Sequence, residues 1–245
     1  MQESKIEQIL EEIDYNAHLM GIYIFAVGGF CRNKILRKPH PLDSDIDLMA
    51  DQYGGLKLAG MLSSAFEVPI RYYHRTGTAF ITYKDIDLEF QAFRPNYDVL
   101  EEIRDKNVPQ NMLNFNVFSR DFTINSLLYS LRSKKIYDLT NMGIRDIKDG
   151  ILRTPINADI LVKSNPIIIL RAIMFKNRLK YDIDLELDRA MRENKDLIMN
   201  QVSIERFKIA INKILKPDKE YGFKLLYHYD IDEISPISLE KIVEE

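Results

Sequence analysis

The chain has 245 residues and a formal charge of −3, with 46% hydrophobic and 29% charged residues, a balance that excludes a disordered or collagen-like protein. No overall positive field draws it onto nucleic acid, so any such binding needs a local basic face. The single cysteine, Cys31, excludes an internal disulfide, and no apolar run reaches the ~20 residues of a membrane span. The length exceeds one average domain, which leads us to expect two. The charged start MQESKIEQILEEI carries no secretory signal, so the expected setting is cytoplasmic, with no membrane partner.

In chain order, residues 4–20 place Ile6, Ile9, Leu10, Ile13, Ala17 and Met20 at helical spacing between acidic residues, which predicts an amphipathic helix. The run Ile22 to Val27 is continuously apolar and β-rich and predicts a buried strand ending in Gly28-Gly29, with residues 30–36 helical beyond it. Ile46 and Leu48, flanking Asp45 and Asp47, predict a second strand; Ala79 to Tyr83 and Ile86 to Phe93 predict two more. From Ala158 the period changes. Residues 160–179, 185–199 and 204–215 carry apolar residues at helical intervals, and Ser203 is placed to cap the last of these. Between the halves, Asp138 to Arg153 contains Gly143 and Gly150 and reads as a turn-rich joint. The expected organisation is a mixed α/β domain over 1–138 and a hinge with a helical domain over 139–245.

A glycine pair directly after a buried strand lets the backbone approach a ligand closely, and a following helix would aim its amides at the same spot. Alone, such a turn has a purely steric explanation. Asp45 and Asp47 lie two apart, so on a strand both side chains share one face and could share divalent cations. The plain alternative is a solvated pair in an Asp-rich turn with Asp43. Phosphoryl transfer by two metals requires a further acid on a neighbouring strand; Asp87 and Glu89 both supply one, on one face of the run 86–93.

This order of Gly-Gly, Asp-x-Asp and a later strand-borne acid resembles the polymerase-β-like nucleotidyltransferases. Ser119-Arg120-Asp121-Phe122-Thr123-Ile124-Asn125 resembles the Arg-Arg-Asp-Phe-Thr-Ile-Asn segment of the class II branch, the bacterial poly(A) polymerases and CCA-adding tRNA nucleotidyltransferases. Asp138 to Arg153 is similar to that family's hinge, Leu170-Arg171-Ala172 with Phe175 to its nucleotide-pocket helix, and 203–215 to its neck. The resemblance implies an α+β fold: a mixed-sheet head followed by an all-helical neck. It implies transfer of a nucleoside monophosphate from an NTP, ATP or CTP, to an acceptor hydroxyl, in the family an RNA 3′ end. Gly28, Gly29 and Arg32 would hold the triphosphate, and Asp45 and Asp47 two magnesium ions, with manganese as a substitute. Glu89, by its spacing to Arg94, would be the third carboxylate, with Asp87 in reserve. Arg120, Asp121 and Asn125 would line the ribose and phosphate side, and Arg171 would face the nucleotide.

The match breaks in the pocket helix. Where the family reads the base with Glu-Asp-x-x-Arg, this chain has Ser164-Asn165-Pro166-Ile167-Ile168, and a further arginine is replaced by Met174. Asn165 both donates and accepts, whereas Ile168 and Met174 offer no side-chain hydrogen bond of any strength. Strict CTP-then-ATP selection is therefore not expected, and an acceptor other than RNA, small molecule or protein, is the rival reading. A non-catalytic nucleotide-binding module is a second rival, against which the retained acids speak. The sequence stops shortly after the neck, without the body and tail that grip tRNA in the family. The expectation is a shorter acceptor, or holding by a second copy, a partner subunit, or the basic segments at 71–75 and 176–180; these short runs read more readily as a solvated face, and Tyr72 and Tyr73 could stack on a base or equally be core.

Overall fold

The computed structural model describes residues 2–41, 45–50, 54–73, 76–94, 96–106, 108–235 and 237–242. Asp43, His74 and Arg75, named above, lie outside them. The order is α1 (Gln2–Leu19), β1 (Ile24–Val27), α2 (Gly29–Ile35), β2 (Ile46–Ala50), α3 (Gly54–Ala65), β3 (Ile70–Tyr73), β4 (Thr78–Tyr83), β5 (Ile86–Ala92), α4 (Leu100–Arg104), α5 (Met112–Phe118), β6 (Leu128–Ser130) and β7 (Ile136–Tyr137). There follow α6 (Gly143–Asp149), β8 (Ile151–Leu152), α7 (Ala158–Ser164), α8 (Ile167–Leu179), β9 (Asp182–Ile183), α9 (Leu185–Glu193), α10 (Leu197–Gln201), α11 (Ile204–Leu215), α12 (Lys219–His228), α13 (Ile231–Ile234) and α14 (Leu239–Ile242). None of the described helices is long and apolar enough to cross a membrane.

Seven strands form one mixed sheet in the order β3-β4-β5-β2-β1-β6-β7. Every pairing in it is antiparallel except β2 with β5. The period-2 pleat splits its residues between two faces. Ile46, Leu48, Ile86, Leu88, Phe90, Ala79 and Ile81 are buried on one face, which α3 covers, in turn backed by α1. The opposite face carries Asp47 on β2 and Asp87, Glu89 and Gln91 on β5. Lys84 and Asp85, both with φ near +50 to +60°, close the β4–β5 hairpin, the backbone that a two-residue primed turn demands.

Some elements depart from the sequence expectation. The first strand begins at Ile24, and Tyr23 is 76% exposed; hydrophobicity alone cannot place the edge of an apolar run. The helical pattern over 160–179 is broken at Asn165, whose extended backbone (φ −154°, ψ 81°) precedes Pro166, because proline disfavours the α region for the residue before it. The second half is not wholly helical, since β8 and β9 pair as a two-residue parallel ladder. Ser203 Oγ accepts from the Arg206 amide, as a helix cap does.

The joint is ordered by polar contacts. Asp138 accepts the Ile144 amide, and buried Asp146 accepts from the Thr123 hydroxyl at 2.6 Å and pairs with Arg153, which also pairs with Asp184 at 3.0 Å. Gly143 is required there: a Cβ would fall 2.5 Å from the Thr123 carbonyl.

Candidate active site

Gly28 sits between β1 and α2 with φ 62° and ψ −126°, a backbone state essentially restricted to glycine. A Cβ at Gly28 would lie 2.9 Å from Asp47 Oδ2. The turn is thus held by two separate demands, its own conformation and the approach of a carboxylate. Across the parallel ladder Asp47 stands directly opposite Glu89, and Asp45 lies just before β2. Ligand atoms of Asp45, Asp47 and Glu89 all fall within 4.8 Å of one another, a spacing that could hold a metal ion. Gln91 donates 2.8 Å to Glu89 and 3.5 Å to Asp47. Asp87 is exposed and accepts 2.6 Å from Thr82, outside the cluster.

The three acids repel. Burial, and then the charge of Asp45, push the Asp47 carboxyl up to about 6; burial, and then Asp47, push Glu89 up to about 7. Such a cluster suits a divalent cation, whose charge would cancel both effects.

Asp47 and Glu89 face a cavity of about 830 Å³ whose far wall is cationic. Buried Arg32 donates to Asn125 Oδ1 and lies over the Phe175 ring, 5.3 Å from its centre, with Arg171 5.9 Å from the same ring. Asp121 organises this wall. It receives Arg171 at 2.5 to 2.6 Å, the Asn125 amide at 2.9 Å and the Phe122 N–H at 2.8 Å. Burial works against its ionisation, but Arg171, Asn125 and the backbone donor outweigh it and hold the carboxyl below its ordinary value. Arg120 is committed to the Asn116 side chain, the Asn125 carbonyl and the Met49 sulfur. Cys31 is inert: it is fully enclosed, and burial raises its thiol to about 12.

Gly28, Gly29, Arg32, Asp45, Asp47, Glu89, Arg120, Asp121, Asn125 and Arg171 all border this one cavity, and Asp87 does not. Asn165 and Ile168 line it too, whereas Met174 packs on the core and does not. Arg94, Arg178 and Arg206 also line it and were not assigned from sequence. Arg178 follows Arg171 by seven residues, two turns along α8, so its placement was readable. Arg206 is on α11, and nothing in sequence brings it to the same space.

A mixed sheet whose one parallel pair carries facing acids beside a glycine turn defines the polymerase-β-like head. Within that class, the family described as "Poly A polymerase head domain" matches residues 24–153, and the chain belongs to it. The mitochondrial CCA tRNA nucleotidyltransferase of Candida glabrata is 26% identical over 95% of this chain and 48% of its own length. The tRNA nucleotidyltransferase cca2 of Schizosaccharomyces pombe is 30% identical over 80% of this chain and 39% of its own. The chain thus spans under half the length of these relatives. A solved tRNA nucleotidyltransferase, complexed with a primer tRNA and an incoming ATP analog, superposes with a TM-score of 0.75 over 96% of this chain and 65% of that one, at 24% identity.

Proposed function

We propose that this protein is a template-independent nucleotidyltransferase that moves NMP from ATP or CTP to the 3′ hydroxyl of an RNA. The observation that carries the reading is the Asp45, Asp47 and Glu89 cluster facing the arginine wall across one cavity. The same reading places a head over 1–138 and a hinge and neck over 139–245. Two magnesium ions, or manganese, would be held by Asp45 and Asp47 with Glu89 on the side of the acceptor; when bound they supply Lewis-acid polarisation of the phosphate and a lowered acceptor pKa.

The chain's own groups do the rest. Gly28 and Gly29 keep side chains away from the triphosphate, and Arg32 meets its negative charge. Arg171 faces the same ligand. Asp121 and Asn125 act through the arginines they hold, because their polar atoms are largely committed to Arg171 and Arg32. Arg120 fixes the Asn125 backbone and the β2 side of the wall. Preorganised donors of this kind cost no reorganisation when charge develops on the leaving pyrophosphate.

A second reading, the same chemistry on a small-molecule or protein acceptor, is favoured by the replaced base template at Asn165 and Ile168. The deciding experiment supplies each labelled NTP with magnesium, a panel of RNAs and a cell extract, and follows the label. Label on RNA 3′ ends supports the proposal; label elsewhere, or none transferred, overturns it.

A further inference from the structure

The sheet face that bears the metal cluster does not end at Glu89. In the strand register Glu89 stands opposite Phe80 on β4, and Phe80 opposite Arg71 on β3; the next row runs from Gln91 through Thr78 to Tyr73. Residues directly opposite in a ladder project on the same face. Phe80, Arg71 and Tyr73 therefore continue the face of Asp47 and Glu89 toward the sheet edge, away from Arg32 and Phe175. The alternate residues of β3 point the other way, as the contact of Tyr72 with Gly60 of α3 demonstrates.

This strip is open. Arg71 is exposed, Tyr73 is 51% exposed, and Phe80 is half-buried. Phe80 and Tyr73 meet edge to face with ring centres 5.3 Å apart. Arg71 makes no side-chain hydrogen bond or ion pair among the described residues. The strands are ~4.8 Å apart, which puts the Arg71 and Tyr73 backbone on the order of 10 Å from that of Glu89. A competing charge, Asp87, lies on the same face but is turned onto Thr82.

We propose that Arg71, Tyr73 and Phe80 form the seat for the single-stranded 3′ end of the acceptor, with the rings stacking on its bases and Arg71 contacting a phosphate. The inference rests on the functional reading above and names the surface that would deliver the attacking hydroxyl. Two arguments select a nucleic acid over other occupants. Exposed rings interleaved with an uncompensated cation complement a stacked polyanion. The strip is also continuous with the carboxylate of Glu89, on the side opposite the arginine wall, so an occupant would meet the metals from the side that the triphosphate does not fill.

The test uses the full chain and a short fluorescein-labelled single-stranded oligo(A). Anisotropy titrations over a range of salt give affinity and its salt slope, and a fluorescent ATP analogue gives nucleotide affinity. Tyr73→Ala is expected to weaken oligonucleotide binding about fivefold or more, with Tyr73→Phe near wild type. Arg71→Ala should lower the salt slope by about 0.7, and Arg71→Lys should restore it; nucleotide affinity should not move in any of them. Both positions are exposed on an edge strand, so thermal melting should match wild type. The proposal is overturned if wild-type protein does not bind the oligonucleotide, or if both alanine variants bind it as tightly with the same slope. If RNA is extended but the acceptor KM is unchanged in both variants, this seat falls and the functional reading stands. If the variants lose oligonucleotide binding while no RNA is extended, the seat stands and the functional reading falls.

Discussion

The arginines and the cluster of carboxylates that line the one cavity are in opposite states. At the arginine end, Asp121 pairs with Arg171, and Asn125 and Phe175 hold Arg32 in place, so these side chains are positioned by one another. At the carboxylate end, Gln91 donates to Glu89 and Asp47, and these two carboxyls are pushed up toward neutrality. The first end is preorganised and the second is incomplete, which is what an enzyme needs when one side must bind an anion and the other must bind cations first.

The sharpest way to break this contrast is at the incomplete end. Asp45→Ala or Asp47→Ala is expected to abolish transfer while leaving the melting curve intact or raised, since each removes a repelling carboxylate of the proposed metal site and no packing group. Turnover near wild type in either variant would sink the assignment. Glu89→Ala should cost on the order of a hundredfold in kcat, and Asp87→Ala only a few-fold, because Asp87 serves Thr82 outside the cluster. The reverse order would move the third ligand one pleat along β5.

A smaller effect separates the ends by pH. The Asp47 and Glu89 carboxyls are raised in the fold, so their contribution is present below the unfolded value near 4 and is lost as pH rises through about 6 to 7. Metal-free protein should therefore lose stability across that window, and magnesium should raise Tm at pH 7.5 but hardly at pH 5. Asp121 is shifted down and contributes with the opposite sign, at lower pH. A magnesium-induced shift equal at both pH values, measured by differential scanning fluorimetry, would refute the carboxylate assignment.

Much of the carboxylate end was legible because it depends on local spacing: Asp45 and Asp47 two apart, Glu89 in an alternating run, and a Gly-Gly turn after an apolar strand. Periodicity alone did not choose between Asp87 and Glu89, for it gives a face but not a register; the resemblance chose Glu89 by its spacing to Arg94, and the parallel β2–β5 pairing sets Glu89 beside Asp47. The arginine end was half legible. Arg120, Asp121, Asn125 and Arg171 stood out by resemblance, but Arg206 comes from α11 and Arg94 follows β5, and long-range packing alone unites them. Short strands such as β3, β6 and β7 carry too few residues to show an alternation, so the basic run at 71–75 with its tyrosines was visible in sequence, but not which of its side chains share the face of Glu89.

The finest comparison lies along the pocket helix, where Arg171 is retained and the base-reading residues are not. Asn165 lines the cavity with an exposed amide, and Ile168 beside it is 2% exposed. An amide can turn to present its donor and acceptor in either order. It can match the donor-acceptor edges of adenine and cytosine, or those of guanine and uracil, equally well, and Ile168 adds only shape. Wild-type protein is therefore expected to lack strict CTP-then-ATP selection. Asn165→Asp removes the donor and leaves only acceptors, so it should favour the bases that present an amino group, adenine, cytosine and guanine, over uracil. One hydrogen-bonded discrimination is worth about 1 to 3 kcal/mol, roughly tenfold or more in relative kcat/KM. Adding Ile168→Arg should sharpen this further where the arginine reaches the cavity, although burying its stem among core side chains will lower Tm. The measurement is competition among the four NTPs on one acceptor. If unmodified protein already adds C, C and A in order to a tRNA lacking its 3′ end, selection resides in residues other than these two, and the pocket helix presents a different face to the base.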